Sequence, residues 1–153
     1  TTLPCLLAAK AGKATQEDGL KLSRKHLKGL GVEVDGVSFA SGAGGSGADF
    51  VTPRATVQLL QGLRKRDDWE EFRGWLPALG EDGTLKDAVD KDSPARGKVF
   101  AKTGTNAWFD TLNGRPLLKS KTLAGSMTAA GGRELLFALF VNHLPLAPGE
   151  PAS

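Results

Sequence analysis

The sequence predicts an α+β fold: an antiparallel sheet with helices packed on it. Three observations predict it. Helical periodicity with N-terminal caps is confined to the first half of the chain. Alternating or wholly apolar runs suited to strands gather in the last third, at 98–104, 122–129 and 134–142. The last two runs are joined by Gly131-Gly132, a hairpin turn, which makes them antiparallel.

Each element follows from its own residues. Thr15 before Gln16, Glu17 and Asp18 is an N-cap followed by first-turn acids. Leu20, Leu27 and Leu30 then share a face and Gly31 supplies a stop, which predicts a helix over about 16–30. Residues 32-VEVDGVSFA-40 alternate and predict a strand that buries Val32 and Val34, with Val37 and Phe39 as further candidates and Gly36 as a bulge. Residues 41–50 form a glycine-rich loop. Thr52-Pro53 is an N-cap with Pro at the first helical position, and Val57, Leu60 and Leu63 continue that helix to about Lys65. Asp67 to Leu76 fits a short helix with Trp69, Phe72 and Leu76 on one face. Residues 77–97 read as loop, with a helical turn near 84-TLKDAV-89. The run 98-KVFAKTG-104 is a strand, and 122-TLAGSMTA-129 is its alternating successor, with Leu123, Met127 and Ala129 on one face. The run 134-ELLFALFVN-142 is apolar on both sides and predicts a central strand covered on both faces.

Composition narrows the function classes. A chain of 153 residues, 40% hydrophobic and 24% charged, suits one globular domain. Its net charge of +3 is spread along the chain, so no basic run marks a nucleic-acid surface. No apolar run is long enough to span a bilayer. Residues 1–9 lack the basic segment and long apolar core of a signal peptide. Cys5 is the only cysteine, and with two widely separated histidines, His26 and His143, it does not suggest a metal site. His26 reads as solvated and His143 as structural.

The pattern Gly42-x-Gly44-x-x-Gly47 matches a dinucleotide fingerprint, but the next helix starts near Pro53, too far downstream for its N-terminus to hold a pyrophosphate. A flexible turn is the better reading. Lys102-Thr103-Gly104 carries more chemistry. A lysine cation beside a threonine hydroxyl suits a carboxylate. Glycine lets a ligand backbone approach the strand. The next N–H, that of Thr105, is placed to donate into an oxyanion hole.

With this triplet the sequence resembles the C-terminal part of the D-alanyl-D-alanine carboxypeptidase/endopeptidases of peptidase family S13, the class C low-molecular-mass penicillin-binding proteins. Four stretches carry the resemblance, in matching order and spacing: 41-SGAGGSGADFVTPRATVQLL-60, 79-LGEDGTLKD-87, 93-SPARGKVFAKTGT-105 and 123-LAGSMTAAGGRELLFALFVN-142. It implies part of a β-lactamase/transpeptidase-like fold over residues 1–146, with 147–153 as a loose, proline-containing tail. It implies a serine-type hydrolase that forms an acyl-enzyme on D-Ala-D-Ala peptides in peptidoglycan remodelling, without cofactor or metal, in a periplasmic or extracellular setting. Its ligands would be the peptidoglycan stem peptide or a β-lactam. Lys102 would be catalytic, balancing charge and supporting proton transfer. Thr103 and Thr105 would bind the terminal carboxylate, Gly104 would admit the substrate, and Thr105 N–H would polarise the scissile carbonyl.

The sequence departs from that family's pattern in several places. It contains neither Ser-x-x-Lys nor Ser-x-Asn: Ser23 is followed three residues on by His26, and Ser93 by Arg96. In the family both motifs lie upstream of these residues, so a fragment is expected, completed by an N-terminal half or a second copy. In the glycine loop, Ser41, Ala43, Gly45 and Asp49 replace the family's Asp, Ser, Leu and Asn. The helix expected after 141-VNHLPL-146 is also missing. The alternative is a non-catalytic remnant that at most binds cell-wall peptide or a protein. Ser126 lies in a strand without a nearby base and is not a candidate nucleophile. Trp69 and Trp75 read as packing residues, and Trp108, close after the motif, as packing or as a lining of the substrate groove.

Overall fold

The computed structural model describes residues 2–41 and 47–151. They divide into two compact units, Thr1–Arg66 and Asp67–Ser153.

The first unit contains helices α1 (Thr2–Lys10), α2 (Gln16–Gly29) and α3 (Pro53–Arg64), with a two-stranded sheet, β1 (Val37–Ser38) and β2 (Phe50–Val51). The caps fall where the sequence puts them. Thr15 accepts from Asp18 N–H, and Thr52 accepts from Ala55 N–H ahead of Pro53. Gly31 follows α2 with φ +84°, the left-handed conformation that ends a helix most cheaply at glycine. Helix α1, which the sequence reading leaves unassigned, packs so closely on α2 that a side chain at Gly19 would strike the Pro4 carbonyl.

The strand expected over 32–40 is corrected. Residues Val34–Gly36 form a 3₁₀ turn, closed by Gly36 N–H donating to Glu33 O, and only Val37–Ser38 are extended. Asp35-Gly36 is a turn-forming pair and outweighs the valine alternation around it. Val32 is buried as expected, while Phe39 is exposed. Gly36 accordingly belongs to the turn and does not form a bulge.

The second unit contains α4 (Trp69–Gly74), a 3₁₀ turn at Gly83–Leu85, and a three-stranded antiparallel sheet in the order β3-β4-β5. These strands are β3 (Val99–Asp110), β4 (Arg115–Thr128) and β5 (Glu134–Pro145). Trp69 is buried and stacks on Phe72, while Arg73 lies 4.5 Å over the Phe100 ring, so α4 covers the start of β3. Strands β3 and β4 run further than the sequence pattern indicates, because a second hairpin at Asn113-Gly114 joins them, with Gly114 at φ +63°. The Gly131-Gly132 turn forms as expected, with Gly132 at φ +78°.

The place of β5 is also corrected. The central strand is β4; among the described residues β5 pairs on one side only, and Leu139 and Val141 are largely exposed. Apolar side chains on both faces record a capacity for burial and do not specify a strand's neighbours.

The β3–β4 tip is tied by one carboxylate. Asp110 accepts from the Asn113 side-chain amide at 2.7 Å and from Asn113 N–H at 3.2 Å, and it faces Arg115 Nε at 3.5 Å. The Asn113 side-chain bond leads in holding its pKa below the ordinary aspartate value, with Arg115 adding charge. A depressed folded pKa stabilises above the unfolded value, and the contribution is lost as pH falls through the folded one. The expected result is a tip that loosens only below about pH 4. Backbone amide shifts of residues 111–114 followed by NMR check it; a transition centred at or above the ordinary aspartate value would contradict it.

Candidate functional site

Lys102, Thr103, Gly104 and Thr105 sit together on β3. That strand has two different edges. On one, Phe100, Lys102, Gly104 and Asn106 lie opposite Ser126, Ala124, Thr122 and Ser120 of β4. The other is occupied at its beginning by residues 77–79: Ala101 N–H donates to Pro77 O at 3.0 Å, and Leu79 N–H to Val99 O at 2.9 Å. The outer-edge bonds therefore involve Val99 and Ala101, and backbone direction alternates along a strand, so Thr103 and Thr105 also turn their N–H and C=O groups outward. Among the described residues the paired cover stops at Ala101, and the motif lies immediately beyond it.

The side chains are placed by neighbours that the sequence motif does not name. Lys102 is exposed, and its Nζ donates to the outward-turned Thr103 carbonyl at 2.7 Å. Its ammonium is thereby held at the open edge. Thr103 Oγ1 donates to Thr84 Oγ1 at 3.0 Å. The loop that supplies Thr84 is itself fixed: Asp82 Oδ1 accepts from Ala78 N–H at 2.7 Å, Gly80 N–H donates to Leu85 O at 2.9 Å, and Leu85 is buried. A Cβ at Gly104 would lie 2.6 Å from Thr122 Oγ1, so a larger residue there requires the Thr122 side chain to shift. One cation, two hydroxyls and an outward N–H thus converge on a short length of strand edge. That set can hold a carboxylate and polarise a neighbouring carbonyl.

Thr84 was legible only as part of a similar stretch; its contact with Thr103 is long-range and leaves no local signal. The residues just past the motif were only partly legible. The β3–β4 register shifts between Asn106 and Ala107, leaving Lys119 as an extra residue on β4. The same row of β5 carries His143 at φ +54°, the only left-handed non-glycine residue among those described. A bulge of this kind re-aims side chains at its own position. Here Lys119 Nζ stands 4.2 Å over the Trp108 ring.

Other candidates fall outside this cluster. Ser126 is fully buried in β4, which keeps its Oγ away from any ligand at the strand edge. His26 is exposed on α2. Among the described residues no group of His, Cys, Asp and Glu could hold a metal ion. Most of the glycine loop, residues 42–46 and with them Gly42 and Gly44 of the fingerprint, lies outside the described residues. Its flanks are held by Asp49, whose Oδ1 accepts from Ala40 N–H at 2.8 Å and Ser41 N–H at 3.4 Å. Strand β2 separates that loop from α3, so the helix does not open on the glycines as nucleotide binding requires.

Comparison with known proteins shows the family of the chain. The family model described as "D-Ala-D-Ala carboxypeptidase 3 (S13) family" matches residues 5–151. The chain is 30% identical over 117 residues to the D-alanyl-D-alanine carboxypeptidase DacB of Haemophilus influenzae, covering 76% of this chain and 22% of that protein. The crystal structure of penicillin binding protein 4 (dacB) from Haemophilus influenzae superposes with a TM-score of 0.69 at 26% identity, over 90% of this chain and 28% of that one. A structure of the same protein complexed with a novel β-lactam superposes with a TM-score of 0.68 at 25% identity, over 90% of this chain and 29% of that one. The chain thus spans less than a third of the length of these relatives. With residues 5–151 matched, the chain belongs to the D-Ala-D-Ala carboxypeptidase 3 (S13) family.

Proposed function

We propose that this chain forms the substrate-holding wall of a serine-type D-Ala-D-Ala carboxypeptidase/endopeptidase that acts on peptidoglycan peptides outside the cytoplasmic membrane. The observation that carries the reading is the outer edge of β3 beyond Ala101, uncovered among the described residues, where Lys102 Nζ is held on the Thr103 carbonyl and Thr103 Oγ1 on Thr84, next to the outward-turned backbone of Thr105. A peptide ending in D-Ala-D-Ala would set its terminal carboxylate against Lys102, Thr103 and Thr105. Its scissile carbonyl would then face Thr105 N–H, which stabilises the oxyanion that forms when a serine attacks. Lys102 would also lower the cost of charge as protons move near that carbonyl. The same groups suit the carboxylate and carbonyl of a β-lactam. No step here calls for a metal or cofactor. Among the described residues no helix is long and apolar enough to cross a membrane.

The attacking serine and its lysine base are not assigned to this chain, whose sequence has no Ser-x-x-Lys. They would come from another segment or chain. That same observation favours a second reading, a non-catalytic remnant that binds cell-wall peptide. Two measurements separate the readings. By NMR titration, an acyl-D-Ala-D-Ala peptide with a free carboxylate is expected to bind roughly tenfold better than its C-terminal amide, one charge-assisted hydrogen bond being worth about 1.5 kcal/mol or more. Equal or absent binding overturns both readings. Fluorescent penicillin is expected to leave this chain alone unlabelled and to react once a segment bearing Ser-x-x-Lys is added. Labelling of the chain alone would show that it holds its own nucleophile, and no labelling after the addition would leave the remnant.

A further inference from the structure

We infer that Trp108 and Lys119 form a second subsite, which receives an acidic residue on the N-terminal side of the peptide held at the β3 edge. The inference rests on the reading of Lys102, Thr103 and Thr105 given above, because that reading fixes the direction of the ligand. With the terminal carboxylate at Lys102 and Thr103 and the preceding carbonyl at Thr105 N–H, the rest of the peptide runs towards the C-terminal end of β3, antiparallel to it. Strands advance about 3.3 Å per residue, so Trp108 lies about 10 Å beyond Thr105, within reach of the fourth or fifth residue from the peptide's C-terminus.

The local structure is suited to receive such a residue. Side chains alternate along β3, which places Trp108 on the face shared by Lys102 and Asn106. Trp108 is 60% exposed although it is paired with Leu117 of β4, near the β3–β4 tip. The bulge at Lys119 turns its ammonium over the indole at 4.2 Å, presenting an aromatic surface and a positive charge together. The other charged groups at the tip, Asp110 and Arg115, face each other at 3.5 Å, so the cation directed to the Trp108 surface is Lys119. An aromatic platform with an adjacent ammonium favours a side chain that combines a short aliphatic stem with a carboxylate. Continuity with the motif on one strand makes the occupant the same peptide.

The test compares acyl-D-Ala-D-Ala with peptides of the same C-terminus extended to five residues, carrying either an acidic or an amidated residue in the added part. Titration of the chain by NMR gives the affinity ratio of long to short peptide. A ratio of about ten is expected for the acidic peptide and about three for the amidated one. Trp108→Ala is expected to reduce both ratios to about two, with Trp108→Phe recovering part of the loss. Lys119→Gln is expected to remove the difference between acidic and amidated peptides while keeping some length dependence. A length ratio near one in the native chain, or one unchanged in Trp108→Ala, overturns the subsite and leaves the Lys102 reading standing. Equal ratios for acidic and amidated peptides overturn the role of Lys119. Failure of every peptide to bind overturns the Lys102 reading and this inference with it.

Discussion

Gly125→Ala is expected to destabilise the three-stranded sheet by about 3 kcal/mol, the upper part of the range for overpacking a well-filled interior. Gly125 lies in the central strand β4, opposite Ala101 on β3 and Phe137 on β5. A Cβ at this position would strike the Phe100 carbonyl oxygen and lie 2.6 Å from Ala101 Cα and 2.8 Å from Ala101 Cβ. Two of these three neighbours are backbone, so no change of rotamer relieves the clash, and Ala101 is fully buried with nowhere to retreat. The two strands must separate beside Lys102. For a unit of this size the loss corresponds to a fall in melting midpoint of about 15 °C. Gly131→Ala is the matching control, since a Cβ there meets nothing within 4 Å. Thermal unfolding followed by circular dichroism measures both. A midpoint within about 3 °C of the native chain for Gly125→Ala would show that the strands are not held as closely as described.

Replacing Lys102 by Ala should reduce affinity for a D-Ala-D-Ala peptide with a free carboxylate by roughly 10- to 100-fold, the equivalent of about 1.5–3 kcal/mol for a hydrogen bond to a charged group. Affinity for the amidated peptide should change little. The distinction isolates charge pairing from a general disturbance of the strand. Lys102 is exposed and its Nζ donates to the adjacent Thr103 carbonyl, so the variant should fold as the native chain does. Lys102→Arg should recover only part of the loss, because a planar guanidinium cannot occupy the position of a compact ammonium. The affinity difference should also shrink with added salt, as it does for any exposed charge pair. An unchanged carboxylate preference in Lys102→Ala would remove Lys102 from the site.

Local chemistry explains which elements were legible. Thr15 and Thr52-Pro53 start helices through bonds to residues three positions away, so the sequence window contains the whole cause. Gly131-Gly132 works in the same way. The misread strand at 32–40 fails on competition between two local signals, in which Asp35-Gly36 closes a turn before the valine alternation can extend. The Asn113-Gly114 hairpin was also available as a local signal, and recognising it would have carried β3 through Trp108 and β4 back to Arg115.

By itself the sequence determined the α+β class, the helix starts and the antiparallel closing hairpin, and it put the Lys-Thr-Gly triplet on a strand. All of these depend on contacts a few residues long or on the chemistry of single side chains. Only the tertiary structure decided that β4 is the central strand and β5 lies outside it, and that the pairing with residues 77–79 ends at Ala101. It alone brought Thr84 to Thr103 and Lys119 over Trp108. Strand order, edge exposure and the reach of a bulged side chain depend on residues far apart in the chain, and a period of two along one strand does not encode which neighbour lies beside it.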